Sequence, residues 1–323
     1  MAIRILIENG SNVYDVTGLL EGEAILTEEV NCAGQLVFSV IRDGVIDFQE
    51  GNRVELYEGE TCLFVGWVMQ KKRTQEQIIT VTAYDQIYYL IQNRADYAYS
   101  NKTASDIVRM IGTDFGMELG TVDDSGWIIP QRIEESQSLL DIICNAMALS
   151  ETGNGKRLFL FDRGGKLCFQ TEESLKTQKG LRCDGTISGY DYQTDISKDT
   201  YNAVFLKQTG TQKQPGSVYK KDRTGDVEKW GRLEYFSQVD RSLNESQLKE
   251  MAEGILAEKC RVNRTLTVEN LNGEEMVWPG ESLYIEIQDL GDISLQEVCL
   301  VQKAKRIYRN GEIRMQVTVE VEA

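Results

Sequence analysis

Histidine is absent from all 323 residues of the chain. That single gap removes the Ser-His-Asp and Cys-His routes to an activated nucleophile, the HExxH zinc motif and any imidazole proton shuttle. Paired-carboxylate chemistry is what survives. No CxxC pair occurs among the seven cysteines, Cys32, Cys62, Cys144, Cys168, Cys183, Cys260 and Cys299, so they read as small buried hydrophobes of a reducing compartment. No apolar run approaches the roughly 20 residues that span a bilayer. The opening MAIRILIENG turns polar too quickly for a signal peptide, and the chain is expected to be made and kept in the cytoplasm until it is assembled or released.

Positive charge is also short. Against 51 Asp and Glu stand 35 Lys and Arg, a formal charge of −16. This sign repels phosphate backbones and anionic membranes, so neither specific nucleic-acid binding nor membrane attachment is expected. It suits instead a passage through which a polyanion slides without sticking. Hydrophobic residues at 41% and charged residues at 27% describe an ordinary globular chain, long enough for about two or three domains.

What the chain does contain is a repeat. Gly51, Val54, Leu56, Val65, Trp67 and Val68 lead to Lys72-Arg73 and close on Ile79, Val81 and Ala83. Gly280, Leu283, Ile285, Val298, Leu300 and Val301 lead likewise to Lys305-Arg306 and close on Met315, Val317 and Val319. An alternating strand precedes each copy, at Leu36–Val40 and at Thr265–Val268. One polypeptide thus carries two versions of a small antiparallel β unit, and a ring of such chains presents twice as many similar units as it has subunits.

Three regions follow. Residues 1–95 read as the first β unit. Residues 96–185 change to a helical, α+β pattern, with Thr103 and Ser138 as helix caps and a hairpin turning at Gly164-Gly165. Residues 186–323 return to β, interrupted by a polar stretch from Thr209 to Lys229 that reads as an arm or long hairpin. In this last region a helix near 243–260 is predicted from a capping box of Ser242 and Glu245, with Leu248, Met251, Ala252, Ile255 and Leu256 on one stripe. Asn310-Gly311 marks a final hairpin.

No catalytic, cofactor or metal site emerges. Thr152–Lys156 lacks the first glycine and the closing hydroxyl of a phosphate loop and reads as a tight turn. The acidic pairs Asp123-Asp124, Glu134-Glu135 and Glu274-Glu275 are neighbours in sequence, whereas a glycosidase needs carboxyls facing each other across about 5–9 Å. The interface candidates are Trp230 and Trp278, aromatic residues beside turns. They are joined by the basic pairs Lys72-Arg73 and Lys305-Arg306, which stand at equivalent places in the repeats and would pair with acidic neighbours across a subunit boundary. A peptidoglycan hydrolase using paired carboxylates and a carbohydrate-binding module remain as alternatives.

The segments Ala83–Leu90 (AYDQIYYL), Asn101–Val108 (NKTASDIV) and Tyr201–Val204 (YNAV), in that order, resemble the tail hub proteins of contractile phages, phage-derived bacteriocins and defective prophages of Gram-positive bacteria, typified by the prophage PBSX hub. The resemblance implies a mainly β fold in which two related antiparallel, barrel-like tube domains flank a smaller helix-containing domain. It implies a homotrimeric, non-enzymatic baseplate hub whose pseudo-sixfold ring joins the tail tube protein to the spike protein and meets other baseplate proteins. Such a ring would sit in a virion tail or a released tail-like particle, with a lumen wide enough for DNA to pass.

Overall fold

Alternation decides the first strands. Along Gln35–Ile41, Leu36, Phe38 and Val40 are buried while Gln35, Val37 and Ser39 are half-buried, the period-two pattern of a sheet with one covered face. The computed structural model describes residues 3–176, 180–182, 187–208, 216–239, 241, 244–270 and 277–321. Its N-terminal region contains β1 (Ile3–Asn9), β2 (Asn12–Asp15), β3 (Ala24–Glu29), β4 (Gln35–Ile41), β5 (Arg53–Glu58), β6 (Thr61–Arg73) and β7 (Ile78–Tyr84). They lie in the order β3-β4-β7-β6-β5-β1-β2 over a core that includes Ile5, Leu26, Phe38, Leu56 and Val81.

The insert that follows contains α1 (Ile87–Gln92), β8 (Arg94–Lys102), α2 (Ala104–Asp114), β9 (Leu119–Val122), β10 (Ile129–Ser138), α3 (Leu139–Asn154), β11 (Leu158–Arg163), β12 (Lys166–Thr171) and α4 (Glu172–Leu175). Both expected caps are present. Thr103 and Asp106 exchange side-chain and backbone hydrogen bonds as a capping box, and Ser138 accepts from the Asp141 N–H. Ile107, Val108 and Ile111 of α2 meet Ile142, Ile143 and Ala146 of α3 in one apolar cluster. The stretch Thr152–Lys156 is the end of α3, closed by Gly155 in the left-handed conformation, rather than a free-standing turn.

The remainder contains β13 (Gly180–Arg182), β14 (Gly189–Asp195), β15 (Ala203–Gln208), β16 (Val218–Asp222), α5 (Thr224–Trp230), β17 (Glu234–Val239), α6 (Glu245–Lys259), β18 (Asn263–Asn270), β19 (Ser282–Ile287), β20 (Leu295–Arg309) and β21 (Glu312–Glu320). Tyr192–Leu266 with Val321–Ala323 form one compact unit, and Met1–Asp191 with Thr267–Glu320 form the other. In the first of these, α6 packs Leu248, Ala252 and Leu256 onto Val204 and Leu206 of a three-stranded sheet ordered β16-β15-β17.

Two local expectations are corrected here. The capping box of α6 is made by Asn244 and Gln247, with Glu245 as the first helical residue, and Ser242 lies outside the described residues. Asn244 serves because its side chain reaches the Gln247 N–H at 3.0 Å while the Gln247 side chain returns the bond. Of the stretch from Thr209 to Lys229, residues 209–215 lie outside the described residues; β16 pairs antiparallel with β15, as the hairpin alternative expects, and most of α5 takes the place of the arm.

The repeat is present strand for strand. The first copy runs β3-β4-β7-β6-β5-β1 and the second runs β14-β18-β21-β20-β19-β13. In each, the long strand slips register against the strand that follows it, between Val68 and Gln70 of β6 against β7 and between Val301 and Lys303 of β20 against β21. Each bulge is held by a glycine at φ +86°. Gly51 N–H donates to Val68 O at 2.7 Å, and Gly280 N–H to Val301 O at 2.8 Å. The copies differ at one edge, where β1 joins β5 antiparallel but β13 joins β19 parallel. They fuse into a single 13-stranded sheet because β3 bonds β4 along one edge and β20 along the other.

The paired glycines supply an internal control. Both sit at a backbone angle that L-residues resist, which costs about 1 kcal/mol for alanine. A methyl at Gly51 would meet open space, whereas one at Gly280 would stand 2.8 Å from Leu175 Cδ1. Urea unfolding should therefore show Gly51→Ala losing about 1 kcal/mol and Gly280→Ala losing about 1–2 kcal/mol more. Equal losses would show that the contact at Gly280 is without consequence.

Candidate assembly interface

The two copies meet where β3 lies against β20, with Glu29 opposite Lys303, Glu28 opposite Ala304, Leu26 opposite Arg306 and Ala24 opposite Tyr308. The sequence puts acids on one strand and bases on the other. Lys303 Nζ lies 3.3 Å from the Glu29 carboxylate, but both side chains are more than 40% exposed, so this pair mostly sets register. The Arg306 guanidinium is different. It is 1% exposed and donates from Nη1 to the Glu28 carboxylate, itself 9% exposed, and from Nη2 to the Val277 carbonyl at 2.8 Å. It also lies 4.1 Å from the Trp278 ring centroid.

The insert closes on the same point. Arg163 of β11 lies 4.9 Å from the Trp278 centroid and 5.1 Å from that of Phe161, so one indole serves two guanidinium groups from different parts of the chain. Burial pushes the Glu28 carboxyl above its ordinary range, and the charges of Arg306 and Arg163 act against that push. The two guanidinium groups thus offset part of the cost of burying the Glu28 carboxyl.

A second buried network lies beside it. Asp85 follows β7 and accepts from the Gly34 N–H at 2.7 Å and the Ile87 N–H at 2.9 Å, tying the β3–β4 turn to the start of α1. Gln86 donates to the Asp162 carboxylate at 2.7 Å and lies 3.0 Å from the Gly165 carbonyl. Asp162 in turn accepts from the Gly165 N–H at 2.7 Å. Burial, then the neighbouring Asp162, holds Asp85 well above the usual carboxylate range. Burial raises Asp162 to about 6. The space among Glu28, Asp85, Asp162 and Trp278 is about 10 Å³, room for about one water and no ligand. These groups join parts of the chain.

Of the residues singled out in the sequence, Lys72 and Arg73 are exposed on β6, and Arg73 donates to the Gln77 side chain. Lys305 is half-buried on β20. Arg306 departs from the expectation of an exposed boundary residue, since its acidic partner lies in its own chain. Trp278 is half-buried in the joint between the two copies. Trp230 ends α5 and packs on the cluster of Val204, Leu206 and Leu248, with Lys229 Nζ 5.4 Å from its ring centroid. Cys32 is exposed, unlike the buried Cys168, Cys260 and Cys299. Cys183 lies outside the described residues.

The acidic pairs have local employment. Asp123 accepts from the Thr171 N–H at 2.9 Å and from the Ser174 hydroxyl, and Asp124 accepts from the Gly126 N–H. Glu134 is 1% exposed and accepts from Arg132 Nε and Gln137 Nε2, each at 2.9 Å. Its neighbour Glu135 is exposed, and Glu274-Glu275 lie outside the described residues. A cleft of about 630 Å³ near Asp123 also carries Lys156, Arg157, Glu172 and Glu173, a mixed-charge surface. Among the described residues no cluster of His, Cys, Asp and Glu is placed to hold a metal ion, and no helix is long and apolar enough to cross a membrane.

The model of the YQBQ-like family matches residues 25–320. The chain belongs to the YQBQ-like family. It is similar to the phage-like element PBSX protein XkdQ of Bacillus subtilis strain 168, at 29% identity over 243 residues, covering 72% of this chain and 74% of that protein. In fold it is similar to the 43 kDa tail protein of prophage MuSo2 from Shewanella oneidensis, with a TM-score of 0.70 at 13% identity over 98% of both chains. It is also similar to the E. coli c3393 protein, a component of the type VI secretion system with structural similarity to the T4 tail proteins gp27 and gp5. That match has a TM-score of 0.55 at 10% identity over 99% of this chain and 77% of that one. The resemblance carried by Ala83–Leu90, Asn101–Val108 and Tyr201–Val204 is thus met by the family, and the mainly β fold with a helical insert by the structures.

Two measurements test the buried groups. Arg306→Met strands the Glu28 carboxylate and should lower stability by about 3–5 kcal/mol in urea unfolding, while Arg306→Met with Glu28→Gln recovers part of the loss. No recovery would show that the two residues act independently. Asp162 titrates in the folded chain at about 6 against about 3.9 unfolded. The folded state holds the proton longer, so this group's contribution is full below about pH 4 and is lost as pH rises through 6. Against Asp162→Asn, the wild type should lose about 2 kcal/mol between pH 4 and pH 7; parallel profiles would overturn the assignment.

Proposed function

We propose that this chain is the structural hub of a contractile-tail baseplate or contractile injection particle, a homotrimer whose pseudo-sixfold ring joins the hexameric tail tube to the trimeric spike. The observation that carries this reading is the duplication, matched in strand order, bulge position and bulge glycine. Three chains with two like units each offer six similar surfaces to a sixfold partner while remaining threefold for another. In this reading residues 1–95 and 186–323 supply the tube-type units, with β13 completing the second, and the rest of residues 96–185 faces other baseplate proteins.

The names of similar proteins support the setting, since they describe a phage-like element protein, a prophage tail protein and a secretion component likened to tail proteins. The protein would be assembled in the host cytoplasm and end in a virion tail or tail-like particle. The charge of −16 favours a lumen that DNA does not adhere to. The role is non-enzymatic, because Asp123, Asp124 and Glu134 are committed to hydrogen bonds that hold turns and strands, and a hydrolase needs two carboxyls facing one bond.

Light scattering on the purified protein, alone and with its spike partner, tests the stoichiometry. The expected mass is three times the 36.6 kDa of one chain. A chain that remains monomeric in both samples, or that releases soluble fragments from purified peptidoglycan, would overturn the proposal.

A further inference from the structure

Within each chain, β20 of the second copy is bonded by β3 of the first. The equivalents of these two strands are β6 in the first copy and β14 in the second, because the strand orders β3-β4-β7-β6 and β14-β18-β21-β20 correspond. Neither equivalent has a strand partner at the matching edge among the described residues. On the β5 side, β6 is paired along Thr61–Trp67, and the stretch Gln70–Arg73 is paired with β7 alone. At the other end of the sheet, β14 is the terminal strand. We propose that β14 of one molecule adds to the Gln70–Arg73 edge of β6 in a second copy, repeating between molecules the β3–β20 joint that each chain makes within itself.

The hydrogen-bonding groups are directed as this requires. Thr74 N–H bonds Ile78 O, so alternation of an antiparallel ladder gives β7 the backbone groups of Gln70 and Lys72 and turns those of Lys71 and Arg73 to the other edge. The second copy shows the same phase in use. Val30 N–H bonds Gln302 O at 3.0 Å, which turns Gln302, Ala304 and Arg306 toward β3, and these are the counterparts of Met69, Lys71 and Arg73. On β14, Ser188 N–H bonds Glu269 O at 2.9 Å, so alternation turns the backbone of Asp191 away from β18.

Charge agrees. The internal joint sets Lys303 and Arg306 against Glu29 and Glu28. The open edge of β6 carries Lys71, Lys72 and Arg73, and β14 carries the exposed Asp191. An uncovered strand edge is a template for another chain, and basic and acidic strands select one pairing over like-with-like. The contact is heterologous, β6 to β14, and so propagates from molecule to molecule until a ring closes.

This inference rests on the ring reading above, and one set of proteins separates them. Arg73→Pro removes a donor that faces the open β6 edge, and Asp191→Pro does the same on β14, without touching the intrachain ladders. Each variant alone should be monomeric where the wild type assembles, with unchanged far-UV dichroism. Mixed together, they retain one intact β6 and one intact β14, so they should form a complex of two chains and no larger. Where a proline variant is unfolded, Lys72→Glu with Arg73→Glu should raise the half-assembly concentration about 10-fold or more, and adding Asp191→Lys in the same chain should restore it. If the wild type assembles and these variants do so equally well, the edge assignment is wrong and the ring stands. If assembly depends on both edges but closes at a number other than three, the assignment stands and the trimer does not. A wild type that never self-associates, even with its spike partner, overturns both.

Discussion

Everything in the larger unit depends on β3 being bonded along both edges. Its buried positions alternate as Ala24, Leu26 and Glu28, so the face that turns inward ends on a carboxylate. A charge on a core face needs a partner of fixed geometry. Arg306, opposite Leu26 and therefore one step along the same face, is that partner. A slip of one residue would send Arg306 to the solvent face and leave Glu28 alone in the core, so the pair specifies the register of the joint more than it adds to its depth. The two copies are thereby locked in a single relation, and the sheet that results is continuous.

The insert is locked to the same place by different means. Arg163 reaches Trp278, Asp162 and Gln86 bond each other, and Asp85 holds the turn at Gly34. Asp85, Gln86 and Asp162 are buried polar side chains with hydrogen-bond partners in another segment, and the Arg163 guanidinium lies over the Trp278 ring. Apolar contacts would tolerate sliding, whereas hydrogen bonds and ion pairs in a low-dielectric setting do not.

The sequence made the repeat legible because alternation, the bulge glycines and the Lys-Arg pairs recur at fixed spacing. Caps at Thr103 and Ser138 and the hairpins at Gly164-Gly165 and Asn310-Gly311 were legible for the same reason, each being a local rule. What could not be read was which element lies beside which. Arg306 and Arg73 occupy equivalent positions, yet one is buried and the other exposed, since β3 covers only the second copy's edge. Asp85 and Gln86 stood in a recognisable segment, but their partners are 51 and 76 residues away. The cap of α6 was misplaced by two residues because Ser242-Glu245 and Asn244-Gln247 satisfy the same spacing rule, and Asn is at least as good a cap as Ser.

The two copies are alike in their strands and unlike in what interrupts them. Residues 30–34 suffice to join β3 to β4, whereas β14 and β18 are separated by residues 196–262, which contain β15, β16, β17, α5 and α6. The insert with α2 and α3 likewise occurs once per chain. A ring built from such chains would therefore be near-sixfold where only the repeated strands are seen and threefold wherever an inserted element is seen. In the proposed ring, symmetry conversion would need no moving part and no bound ligand. It would follow from duplicating a sheet while decorating one copy only, and from keeping on both copies a strand edge through which like units could join.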